Sequence, residues 1–212
     1  MEHSFWHDKW QKKEIGFHQA KPHDMLVAHL QALNLQPGSR LFLPLCGKTL
    51  DIGWLLSQGY AVAGAELSEI AVQELFSELG VEPEIRSLGD VKHYHGLSLD
   101  IFVGDIFLLT AVELGKVDAV YDRAALVALP ADMRKEYTTH IRDLTEDVPQ
   151  LLITFEYDQS VIPGPPFSVP AAEVKTHYGA SHTTTELHRE SVAGGLKGQA
   201  EADETAWLIA PL

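Results

Sequence analysis

Cysteine is nearly absent from this chain: Cys46 is the single one among 212 residues. An intramolecular disulfide is therefore impossible, and so is a cysteine zinc cluster. A catalytic thiol needs an activating base close by, and none stands near Cys46 in sequence. It reads as a small residue buried beneath a turn. Positive charge is scarce too: 16 Lys and Arg against 30 Asp and Glu leave a net charge of −14. Such a surface repels phosphates and anionic lipid, so neither nucleic acid nor a membrane is an expected partner. No apolar run of about 18 residues exists, and no transmembrane helix is expected. The opening MEHSFWHDKWQKKE has no apolar run after its charges, unlike a signal peptide. A cytoplasmic protein is the expectation. Coiled-coil heptads are missing, which leaves a monomer as the default. The glycine fingerprint GxGxxG, the P-loop GxxxxGK[ST] and the metal motif HExxH are all missing. His93 and His95 merely alternate, and His177, His182 and His188 share no ligand spacing, so no metal is expected.

What is present is ordinary for a globular chain: 45% hydrophobic and 22% charged residues. That suffices to bury a core in one domain, residues 1–212. Residues 1–40 read as helical and polar. Met25, Leu26, Leu30 and Leu33 within them have amphipathic helical spacing, stopped by Asn34 and Pro37-Gly38. Strands and helices then alternate. Residues 41–45 read as a strand, 51–58 as a helix ending at Gly59, and 60–65 as a strand. Ser68 caps a helix that runs to about Leu79 and ends at Gly80. A short strand at 84–88 precedes VKHYH and LSLDIFVGD, which form a hairpin around Gly96. Residues 117–121 and 149–156 are strands, and 132–145 and 170–178 are helices. TTTELHRE and ETAWLIAPL are two final strands around the turn AGGLKG. This alternation predicts an α/β fold: a doubly wound, mostly parallel sheet of about seven strands, helices on both faces, with an antiparallel addition at one edge. Ligands on such sheets sit outside the carboxyl ends of the strands.

Four strand ends carry polar groups. PLCGK (44–48) offers a turn whose Gly47 leaves the backbone open to a ligand, with Lys48 able to meet a phosphate. A turn holding Pro44 and Cys46 serves pyrophosphate poorly and suits a smaller, amino-acid-like ligand end. Glu66 ends the second strand, 19 residues after Gly47, close to the ~20-residue spacing of an acid that accepts two ribose hydroxyls. An acid there also serves to cap the next helix. Asp105 in GDIF (104–107) can take the exocyclic amine of adenine with Ile106 on the ring, or be a turn residue. Asp122 and Arg123 adjoin at the next strand end. Arg123 would bind a carboxylate or anionic substrate, or else form a surface pair with Asp122. Together the four describe a pocket for an adenosine joined to an amino acid, as in S-adenosylmethionine. A nucleotide-dependent oxidoreductase and a non-catalytic binding protein on the same fold stay open.

The chain resembles the thiopurine S-methyltransferases, in their bacterial branch. The resemblance rests on FWHDKW (5–10), GFHQ (16–19), PLCGK (44–48), GAELSEIAVQELF (64–76), VDAVYDRAALVALP (117–130), YDQ (157–159) and GPPFSVP (164–170), and spans about residues 5–178. It implies a Rossmann-like, class I methyltransferase fold and a cytosolic enzyme that moves the S-adenosylmethionine methyl group to the sulfur of aromatic and heterocyclic thiols, with S-adenosylhomocysteine as product. Selenium and tellurium compounds are implied as further acceptors in the bacterial branch. By matched motif, Trp10, Leu45, Glu66, Asp105, Ile106 and Arg123 would touch the cofactor. Phe17, Pro165, Pro166 and Phe167 would border the small-molecule thiol. Arg123 would carry the catalytic charge. Vertebrate relatives carry a different polar residue in place of Asp105. The resemblance also makes residues 1–35 a helical lid, with Trp10 over the cofactor and Phe17 on the acceptor side.

Overall fold

The computed structural model describes residues 3–14 and 19–212. Helix α1 (His3–Gln11) leads to α2 (Asp24–His29), which continues as a 3-10 turn over Leu30–Leu33. Asn34, in the left-handed conformation at φ 51°, stops it. Then follow β1 (Arg40–Leu43), α3 (Leu50–Ser57), β2 (Ala61–Glu66), α4 (Glu69–Leu79), and the strands β3 (Glu84–Leu88), β4 (Val91–Gly96) and β5 (Leu99–Val103). The second half holds α5 (Ala111–Leu114), β6 (Ala119–Asp122), α6 (Ala131–Thr145), β7 (Gln150–Tyr157), α7 (Ala171–Tyr178), β8 (His182–Ser191) and β9 (Ala202–Pro211). Local chemistry sets several of these limits. The Ser68 hydroxyl accepts the Ala71 N–H at the start of α4, and Gly80 closes the helix at φ 67°. At α5, Thr110 and Glu113 form a capping box. That short helix carries too few residues to show a period in the sequence.

Among the described residues the strands form one sheet in the order β3-β4-β5-β2-β1-β6-β7-β9-β8. The five central strands, β5 to β7, pair in parallel. The outer strands pair antiparallel on both sides. The sheet thus has nine strands rather than about seven. The 84–88 segment and the VKHYH arm add to one edge because β4 folds straight back on β5. At the opposite edge, β9 and β8 are the expected antiparallel addition.

Side-chain alternation along each strand feeds two cores. Leu41 and Leu43 of β1 face one side with Leu26, Ile52, Leu55 and Phe76. Phe42 faces the other with Tyr137, Ile141, Val174 and Tyr178 of α6 and α7. The fully buried Ile52, Leu55 and Phe42 each contribute about 1.5–3 kcal/mol by leaving water. The chain order reverses at β1: β2 and β5 lie on one side of it, β6 and β7 on the other. A crevice opens outside the carboxyl ends of β1 and β6, as strand-order reversals require.

Candidate active site

A cavity of about 680 Å³ occupies that crevice. This lies within the ~300–1,000 Å³ of small-molecule sites. Its floor comes from the strand ends: Leu43 to Gly47 after β1, Glu66 and Leu67 at β2, Gly104 to Phe107 after β5, Tyr121 and Arg123 at β6, and Phe155 at β7. Phe5, Trp6, Lys9 and Trp10 of α1 line it from above.

Glu66 organises the first turn. Its side chain is buried at 6% exposure. One carboxylate oxygen accepts the Gly47 N–H at 2.8 Å and the other accepts the Ser68 N–H at 2.8 Å. Burial pushes its pKa up, while the N–H groups of Ser68, Gly47 and Leu67 pull it partly back. These three N–H groups leave part of the carboxylate's roughly four lone-pair sites unused, and Glu66 lines the cavity. The turn itself is left-handed at Leu45 (φ 47°) and Gly47 (φ 54°). A Cβ on Gly47 would stand 3.0 Å from the Trp10 ring. The indole, only 5% exposed, therefore closes directly over that turn. Cys46 lines the cavity but is buried, and burial with the nearby Glu66 holds its thiol well above the ordinary value. It stays a neutral thiol, as a small buried residue should. Lys48 bridges Glu74 and Glu78 of α4, at 2.8 and 2.5 Å, so its charge is spent on that helix rather than on a phosphate.

Asp105 caps the turn after β5, accepting the Phe107 N–H at 3.0 Å. Ile106 is buried against the cavity. Asp122 is fully buried; it accepts the Leu126 N–H at 3.1 Å and the Tyr137 hydroxyl at 2.7 Å. Desolvation raises its pKa to about 6. Asp122 is not the surface partner of Arg123 that adjacency allows: alternation along β6 turns it into the core. There it fixes the turn over Leu126–Ala128 beside Ala124, itself left-handed at φ 64°. Arg123 lines the cavity.

The opposite wall is the 164–167 loop. Tyr157 donates its hydroxyl to the Pro166 carbonyl at 2.6 Å, and the Phe167 N–H donates to Val127 at 2.6 Å. Pro165 and Pro166 line the cavity, whereas Phe167 is not among its lining residues. Its ring lies against Gly164 and faces the Arg134 guanidinium at 5.9 Å, holding the loop from behind. Phe17 falls outside the described residues. Of the described residues in the segment 1–35, Phe5, Trp6, Lys9 and Trp10 of α1 line the cavity, with Glu14 and Gln19 beyond it. From His23 onward the chain is anchored in the body: the His23 N–H donates to Asp51 at 2.7 Å and its ring pairs with Glu204 at 3.0 Å.

Several lining residues escaped the sequence reading. Tyr121 donates to Asp51 at 3.1 Å on the cavity floor. Leu196 and Lys197 arrive from the glycine-rich turn between β8 and β9, and the Lys197 ammonium donates to the Pro165 carbonyl at 2.7 Å. An isolated lysine in such a turn carries no local signal; only the loop's return to the cavity reveals it. Among the described lining residues there is no histidine.

A parallel sheet reversing at β1, an acid ending β2 and an open turn at β1 define a class I, Rossmann-like methyltransferase fold. Solved structures agree on the fold. One is the Burkholderia thailandensis 1,6-didemethyltoxoflavin-N1-methyltransferase with bound 1,6-didemethyltoxoflavin and S-adenosylhomocysteine: TM-score 0.66, 16% identity, 98% of this chain and 87% of that one. Another is a SAM-dependent methyltransferase from Anabaena variabilis: TM-score 0.65, 14% identity, 99% and 95%. The sequence profile described as thiopurine S-methyltransferase matches residues 1–208. Curated relatives bearing that name include one from Xanthobacter autotrophicus, 56% identical over 99% of both chains. A second, from Teredinibacter turnerae, is 52% identical over 99% of this chain and 97% of its own. The chain belongs to the thiopurine S-methyltransferase family and is an S-adenosylmethionine-dependent methyltransferase.

Proposed function

We propose that this site methylates the sulfur of aromatic and heterocyclic thiols, thiopurines among them, and also accepts selenium and tellurium compounds. The observation that carries the reading is the convergence of Gly47, Glu66, Asp105 and Arg123 from four strand ends in one cavity beneath α1, in a chain of this family. Bound S-adenosylmethionine supplies an electrophilic sulfonium methyl group. Glu66 suits the ribose hydroxyls through the lone pairs its backbone contacts leave unused. The Leu45–Gly47 turn suits the amino-acid end, since Gly47 leaves the backbone open. Asp105 takes the adenine amine and Ile106 packs on the ring. Trp10 covers the donor, and α1 acts as the lid that excludes water.

On the acceptor side, Pro165 and Pro166 flank the ring and Phe167 supports them from behind. Phe17 is proposed for the same side on the family motif alone. Arg123 holds the negative charge of the acceptor or of the donor's carboxylate. Lys197 adds a second cation at that wall. Ring thiols ionise near neutral pH, so the chain needs to orient and desolvate rather than deprotonate. Orientation of this kind reaches effective molarities of ~10⁵–10⁸ M. No helix among the described residues is long and apolar enough to cross a membrane. A monomer in the cytoplasm completes the reading.

The test is S-adenosylhomocysteine release with and without 6-mercaptopurine, in the native chain and in Glu66→Ala. Release that requires the thiol and collapses in the variant supports the proposal. Donor binding without release on ring thiols, selenium or tellurium species would favour a non-catalytic protein or another small acceptor.

A further inference from the structure

At the other end of the sheet, the hairpin of β4 and β5 gathers three metal-ligating side chains. His93 and His95 stand two residues apart on β4 and so share a face. The antiparallel register sets Asp100 of β5 directly opposite His95. Nε2 of His93 and Nδ1 of His95 each lie 2.8 Å from the same Asp100 oxygen, Oδ1. The three donor atoms all fall within 4.8 Å of one another.

Neighbours hold two of the three in place. The Asp100 Oδ2 accepts from the Arg40 guanidinium at 2.8 Å, and Arg40 also donates to the Leu114 and Lys116 carbonyls at 2.6 and 3.2 Å. That fixes the carboxylate with Oδ1 turned toward the imidazoles. The His93 ring lies flat on Phe102, with centroids 4.8 Å apart and planes 9° apart. The hydrogen bond to Oδ2 is the kind of outer contact that supports a ligating carboxylate, and the stacking limits how the His93 ring can turn. His95 is exposed, which leaves the open side of the cluster to solvent.

We propose that His93, His95 and Asp100 bind a divalent first-row transition ion of the Zn²⁺ type. Two imidazole nitrogens and one carboxylate oxygen are donors that Zn²⁺, Co²⁺, Ni²⁺ and Cu²⁺ favour. A tetrahedral ion with ligands at ~2.1 Å spaces them roughly 3.4 Å apart, a small opening of the present contacts. Each ring binds as a neutral imidazole, its N–H moving to the other ring nitrogen. The ion then replaces the two N–H donors now facing Oδ1, and the fourth position falls to water. The guanidinium beside Oδ2 opposes hard ions such as Ca²⁺ and Mg²⁺, which depend on carboxylate charge. Because Asp100 lies near the amino end of β5 and the cavity outside the carboxyl ends, the ion clips β4 to β5 and takes no part in methyl transfer. The sequence hid the site because the third ligand comes from the neighbouring strand.

The experiment is a calorimetric titration of the chelator-stripped full chain with Zn²⁺ at neutral pH, repeated on His95→Ala, His95→Gln and Asp100→Asn. Co²⁺ absorption serves as a second readout. One Zn²⁺ per chain, a tetrahedral Co²⁺ spectrum, and affinity at least about tenfold weaker in the variants is the expected result. Thiol methylation should be the same in native and variant chains, with or without Zn²⁺. The metal-free Tm of each variant checks that it folds, and His95→Gln keeps the test alive should the alanine fail. No stoichiometric binding, or equal binding in all variants that fold, overturns the proposal.

Discussion

Replacing Glu66 by Gln isolates what its charge does, because the side chain keeps its shape. In the native chain both oxygens accept backbone N–H groups, from Gly47 and Ser68. Gln has one acceptor and one NH2 donor. Whichever way the amide turns, one of those buried N–H groups loses its acceptor and meets another donor, at about 1–3 kcal/mol. Against this, burial already disfavours the carboxylate's charge, as its raised pKa records. The neutral amide escapes that penalty, so the two effects partly cancel in the ligand-free protein, and Tm should move little. Cofactor binding has no such compensation. Hydrogen bonds to a charged acceptor contribute about 1.5–3 kcal/mol each. Gln loses one such bond to the ribose diol and weakens the other, for a net loss of roughly 2–4 kcal/mol. At 1.4 kcal/mol per tenfold, S-adenosylhomocysteine affinity should fall roughly 30- to 700-fold. Calorimetric titration measures Kd, and thermal unfolding without ligand measures stability. A Kd change below about threefold, with Tm intact, would refute Glu66 as the diol acceptor. A Kd loss matched by collapse of the ligand-free Tm would show a purely structural role.

Three further outcomes are expected. Gly47→Ala places a Cβ 3.0 Å from the Trp10 ring at φ +54°; it should cost ~1–2 kcal/mol of stability and weaken donor binding, and an unchanged Kd would separate Trp10 from the donor. In Asp122 the folded pKa of about 6 lies above the ordinary 3.8, so the unfolded chain releases this proton first and stability is lost as pH rises from about 4 to about 6. At 1.36 kcal/mol per pH unit the loss is about 3 kcal/mol. Asp122→Asn should lack it, and a native-minus-variant stability difference that is the same at pH 4 and pH 7 in urea unfolding would contradict this. Arg123→Lys replaces a planar fork by a point charge and should lower kcat/KM for a ring thiol by about tenfold or more, corresponding to roughly 1.4 kcal/mol; unchanged kinetics would remove Arg123 from the reaction.

Much of the fold was legible because its signals are short-range. Ser68 and Gly80 bracket α4 through hydrogen bonds and a left-handed φ that involve only neighbouring residues. Leu41, Phe42 and Leu43 announce a strand buried on both faces. The matched motifs place Trp10, Glu66, Asp105 and Arg123 in order along the chain, and they line one cavity. What sequence alone could not determine depends on register and strand order. A surface pair of Asp122 with Arg123 was one of two readings of the sequence, yet the pleat turns Asp122 inward onto Tyr137, 15 residues away. Lys197 reaches Pro165 across 32 residues because β8 and β9 return their turn to the acceptor wall. Asp100 joins His93 and His95 only through the pairing of β4 with β5. Helix limits and strand faces follow from chemistry within a few residues, so the sequence determined them. Which polar groups meet is decided by packing the whole sheet, because contacts between distant segments leave no local period to read.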